Sequence, residues 1–123
     1  MHYRLVYERG LFIGETSGDA VVETFGDLLD AMLDHDEWQP GAPWMHDHTD
    51  LNAAPLTVEG VQRIADLCAE RRTRLGEGKC AIVLTADLEY GLGRMWAVYV
   101  ESRWDVVTRI FRARDEARAW LSV

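Results

Sequence analysis

The stretch KCAIVLTADLEYGLGRMWAVYV, Lys79–Val100, decides how the chain reads. Ala81 to Thr85 is an apolar run closed by a threonine, the pattern of a central strand buried on both faces of a parallel sheet. Leu88, Leu92, Met95 or Trp96, and Tyr99 then recur at three and four residues, which is helical spacing. A strand feeding directly into an amphipathic helix is half of a βαβ unit, and the rest of the chain repeats that unit. Gly91 and Gly93 fall within the helix rather than in the turn after the strand, so they do not form a dinucleotide fingerprint. Each costs a helix about 1 kcal/mol relative to alanine, which implies close packing or a crevice beside the helix.

Toward the N-terminus, His2 to Glu8 alternates polar and apolar as a half-exposed edge strand, Arg9-Gly10 supplies a turn, and Leu11 to Glu15 is its hairpin partner. Thr16 to Asp19 breaks the pattern, with Asp19 placed to cap the next helix. Val22, Phe25, Leu29, Met32 and Leu33 form that helix's apolar stripe, while Glu23, Asp27, Asp30 and Asp34 line up as an acidic ridge on another face. Asp34, Asp36 and Glu37 stand at the negative end of the helix dipole. His35, a nearby arginine, a subunit contact or a bound cation would each offset that charge. Trp38 to Pro43 reads as a loop carrying Trp38 as a candidate exposed aromatic. Trp44 to Thr49 is a third strand, Asn52 to Pro55 a short connection, and Thr57 the N-cap of a helix with Val61, Ile64, Leu67 or Cys68, and Leu75 inward. Arg71, Arg72 and Arg74 close that helix and complement its dipole. Asp105 to Phe111 is the last strand and Ala113 to Leu121 the last helix. The expected architecture is α/β, a mostly parallel five-stranded sheet in β-β-α-β-α-β-α-β-α order with helices on its faces, one domain over residues 1–123.

Composition narrows the function. A net charge of −8 argues against nucleic acid, which needs a concentrated basic surface. The charge is uneven: residues 1–60 hold 12 acids against 2 arginines, residues 61–123 hold 9 acids against 11 bases. With no signal-peptide pattern and no apolar run near the ~18 residues of a membrane span, a soluble cytoplasmic protein is expected. Cys68 and Cys80 lack the spacing of a zinc or redox pair and read as reduced core thiols. No serine lies in a nucleophile elbow. No cofactor is implied.

Two groups of residues carry candidate chemistry. On the third strand, His46 and His48 share one face, with Asp47 and Thr49 on the other. Two such imidazoles can begin a metal site, with Asp50 as the third ligand, or they can be a satisfied or surface pair. The second group lies at the strand ends: Asp47, Thr85, Asp87, Tyr90 and Arg94, with Met95 and Trp96 as walls suited to a small apolar or lipid-like ligand.

Pro43–Asp47 (PWMHD), Lys79–Met95 with its YGLGRM, and Phe111–Leu121 (FRARDEARAWL), together with the element order, resemble a group of small stand-alone STAS-like proteins. These are similar to sporulation anti-sigma-factor antagonists. The resemblance implies a STAS-like fold and a regulatory role by binding. In the antagonists a serine at the start of the helix after the third strand is phosphorylated. Here the matching segment, Leu56 to Gly60, lacks the Asp-Ser-Gly pattern, and Thr57 is the nearest hydroxyl. The leading expectation is a non-catalytic module that binds a protein partner or a second copy of itself, guided by the acidic ridge and five tryptophans. The alternatives are a small-molecule or lipid-binding protein and a metal-assisted enzyme using His46 and His48.

Overall fold

The computed structural model describes residues 1–122. The elements run β1 (His2–Glu8), β2 (Leu11–Asp19), α1 (Val22–Leu33), β3 (Trp44–Asn52), α2 (Val58–Glu70), α3 (Arg72–Leu75), β4 (Lys79–Val83), α4 (Asp87–Glu101), β5 (Val107–Phe111) and α5 (Arg114–Leu121). This is the order expected from sequence plus one short helix, α3, split from the end of α2. The sheet order is β1-β2-β3-β4-β5, with β1 antiparallel to β2 and the other neighbours parallel. Every parallel crossover steps the same way, so the right-handed rule puts α1, α2 and α4 on one face. The larger core lies beneath them, around Phe12, Leu29, Met32, Trp44, Ile64 and Val100. On the other face α5 closes a smaller core of Ile13, Met45, Ala81, Val83 and Phe111.

The turn between β1 and β2 follows from its residues. Arg9 and Gly10 have φ of 54° and 78°, and they join Glu8 to Leu11 in a two-residue hairpin turn of the primed kind. β2 does not stop at Glu15. It continues to Asp19 because β3 is longer than expected and runs beside it, and Asn52 Nδ2 donates to Asp19 Oδ1 at 2.9 Å. Asp19 is therefore part of the sheet and does not cap α1, which starts after Val21 without a side-chain cap. Thr57 does cap α2, its Oγ1 accepting from the Gly60 N–H at 3.0 Å.

Three further expectations change. β4 begins at Lys79 and ends at Val83. Leu88 is 66% exposed, so the buried stripe of α4 begins after it, with Gly93, Trp96, Ala97 and Val100. Trp38 is buried rather than exposed, its indole N–H donating to the Arg74 carbonyl at 2.9 Å. Of the acids at the end of α1, Asp34 finds an arginine, Arg74, which reaches it at 3.0 Å and the Leu33 carbonyl at 2.9 Å, and one turn earlier Arg71 grips Asp30 with bonds of 2.7 and 3.1 Å.

Candidate functional site

An apolar pocket lies between the sheet and the layer of α1, α2 and α4. Phe25 and Leu29 from α1, Val61, Ile64 and Cys68 from α2, and Leu92, Gly93 and Trp96 from α4 form its walls. β3 and β4 contribute Trp44, His46, His48, Leu51 and Ile82. The space open to the centre of a water-sized sphere is about 60 Å³, against the roughly 10–15 Å³ that one water needs. The half-buried lining residues Leu56, Glu89 and Leu92 mark its open side. Gly93 shapes the wall, since a Cβ there would come within 2.5 Å of Leu84 Cδ1. Close packing is thus the reason for one of the two helical glycines. The Gly91 position is open.

His46 and His48 are both buried beside this pocket. Burial pushes the His46 imidazole well below its ordinary pKa, with His48 adding to the shift. Burial likewise takes His48 down to about 4, with Asp47 opposing it. Both rings are neutral at pH 7. Thr16 Oγ1 and His48 Nδ1 share a hydrogen bond of 2.7 Å. His46 Nε2 has no partner, and neither does Trp96 Nε1. The Trp96 indole lies beside the Cys68 sulfur, a poor acceptor, without hydrogen-bond geometry. Burial raises the Cys68 thiol to about 12, so it stays protonated and unreactive.

Asp50 does not join the histidines. In the β2–β3 ladder Glu15 faces Asp47 but Ser17 faces Asp50, so β3 holds one extra residue, a bulge. The bulge shifts the alternation, and Leu51 lines the pocket after His46 and His48 while Asp50 is exposed. Among the described residues no group of three or more His, Cys, Asp or Glu side chains is arranged to hold a metal.

The residues expected at the strand ends are dispersed. Asp47 is on the opposite face, where its Oδ2 accepts from Arg114 at 3.3 Å and its Oδ1 from the Thr49 N–H at 3.0 Å. Arg114 also holds Glu15 at 2.7 Å and keeps that carboxyl below its ordinary pKa. Thr85, Asp87 and Arg94 are exposed, and Arg112 ties this segment down through Asp87, the Thr85 carbonyl and the Tyr90 ring. Met95 packs against the main core. Of that group only Trp96 lines the pocket. The topology supplies the reason. Open α/β sheets hold ligands at the strand ends where the strand order reverses, and in β1-β2-β3-β4-β5 the parallel strands never reverse. The sequence assigned Phe25, Leu29, Val61 and Ile64 to core stripes, and periodicity cannot distinguish a packed stripe from one that borders a cavity.

No protein-family model matches the chain, and no curated protein matches it. Among solved structures it is similar to an uncharacterized protein of the DUF3478 family from Shewanella loihica PV-4, described as having a SpoIIAA-like fold. That likeness has a TM-score of 0.64 at 15% identity and covers 98% of this chain and 93% of the other. No helix among the described residues is long and apolar enough to cross a membrane. The sequential sheet, the antiparallel first strand and the helix layer over β2 to β5 are thus the SpoIIAA-like, or STAS-like, fold.

Proposed function

We propose that the chain binds a small, largely apolar molecule in the pocket between the sheet and α1, α2 and α4. The observation that carries this reading is the pocket itself: an open-sided space walled by apolar side chains from three helices and two strands. The one thiol in its wall, Cys68, stays protonated, and no group of three or more metal-ligating side chains accompanies the pocket among the described residues, which supports binding over catalysis.

Native mass spectrometry of protein purified without an affinity tag tests the proposal. A mass adduct on each chain is expected, and it is lost in Leu92→Trp, whose indole would fill the open side. Far-UV circular dichroism checks that this variant is folded. Bare wild-type chains, or an adduct unaffected by Leu92→Trp, would overturn the reading.

Association with a protein partner or a second copy is the second reading. The surface that favours it is the free edge of β1, seven residues long, with Tyr3 and Tyr7 exposed. The acidic ridge supports it less than its sequence suggested, because Asp30 and Asp34 are paired within the chain. Trp38, Trp44 and Trp96 are buried, and Trp104 and Trp120 half-buried. The same spectrum counts subunits, and an apo dimer would favour this reading.

A further inference from the structure

We infer that the pocket selects its ligand by charge and takes an uncharged molecule, an apolar body ending in one hydroxyl or carbonyl oxygen. The inference rests on the pocket being a ligand site and goes on to the ligand's chemistry.

Glu89 is the one lining residue that carries a formal charge at neutral pH, and the lining holds no arginine or lysine. The two histidines cannot substitute for a cation, since burial keeps both rings neutral. A carboxylate in this space would be desolvated with no counter-charge and would meet Glu89 at the open side. The cost of such burial is far larger than that of burying a hydroxyl. Two of the lining residues also carry buried polar atoms that the protein leaves unpartnered. Trp96 Nε1 is a donor only, buried and unpartnered, and its complement is an acceptor oxygen. His46 Nε2 is buried and unpartnered on another lining side chain, and a neutral imidazole nitrogen can either accept from a hydroxyl or donate to an oxygen. A hydroxyl group is complementary to either, and a carbonyl is complementary to either when Nε2 carries the imidazole proton. An ammonium group is donor only and cannot satisfy Trp96. A purely apolar ligand would leave both unpaired. The polar end therefore lies inward, near Trp96 and His46, and the apolar body extends toward Leu56 and Leu92.

A matched set of 1-hexanol, hexanoate and hexylamine at pH 7 tests this, with affinities from isothermal titration calorimetry. The tryptophan indole N–H resonances of ¹⁵N-labelled protein are followed in parallel, that of Trp96 assigned from Trp96→Phe. 1-Hexanol is expected to bind at least about tenfold more tightly than either charged analogue and to move the Trp96 resonance. Hexanoate or hexylamine binding as tightly as 1-hexanol would overturn the charge selection and leave the pocket reading standing. 1-Hexanol binding with the Trp96 resonance unmoved would overturn the inward placement of the oxygen. No binding by any of the three would overturn this inference together with the proposed function.

Discussion

At His48 the fold keeps an imidazole uncharged within an apolar layer, and the consequence is measurable as a dependence of stability on pH. Its folded pKa of about 4 lies below the unfolded value, so the unfolded chain binds the extra proton as the pH falls. The contribution is fully present above about pH 7 and declines from about pH 6.5 toward 4, at roughly 1.4 kcal/mol per pH unit for each such histidine. His46 acts in the same direction, from the same upper limit. Urea denaturation at pH 7, 6 and 5 should show this fall, and His48→Gln should remove about half of its slope. Glu15 and Asp30, held below their ordinary values mainly by hydrogen bonds from Arg114 and Arg71, act only at lower pH. Their contribution is present above the unfolded carboxylate range and is lost as pH falls through the folded one.

Helix α4 carries two glycines whose surroundings differ. Gly91 is exposed with nothing within 4 Å of a Cβ, whereas a Cβ at Gly93 would meet Leu84 at 2.5 Å. Gly91→Ala should stabilise the protein by about 0.5–1 kcal/mol through helix propensity alone. Gly93→Ala has the same gain opposed by overpacking of about 1–3 kcal/mol, so chemical denaturation should show it as net destabilising. From sequence the two positions are alike, because spacing reports the face of a helix but not what lies against it. The same boundary explains what else was legible. Strand and helix positions followed from local patterns, as the Arg9-Gly10 turn and the Thr57 cap show. The continuation of β2 through Thr16–Asp19 did not, because it depends on β3 lying alongside. Nor did the β3 bulge, which places Leu51 rather than Asp50 beside the histidines. Both are products of pairing between distant segments.

Across the whole molecule, one arginine joins segments far apart in the chain. Arg114 on α5 binds Glu15 on β2 and Asp47 on β3, and the Asp47 side chain is only 10% exposed. Removing the guanidinium would leave two carboxylates side by side on the sheet face, one of them nearly desolvated. Arg114→Ala should therefore cost about 2–3 kcal/mol at neutral pH. The loss should shrink as the pH falls through the carboxylate range, a trend that denaturation at pH 7 and pH 4 would reveal.

The uniform stepping of the sheet gives this arrangement a temporal side. Each strand after the hairpin lies against the one made just before it, so a chain emerging from the ribosome can add its layers in the order of synthesis, with little rearrangement of earlier contacts. The α5 face is the exception. Glu15 and Asp47 are translated long before Arg114, and until it arrives Glu15 has only Arg4 of β1 as a partner and Asp47 has no cation, beside the bare side chains of Ile13 and Met45. Docking of α5 therefore neutralises and covers that face in one step.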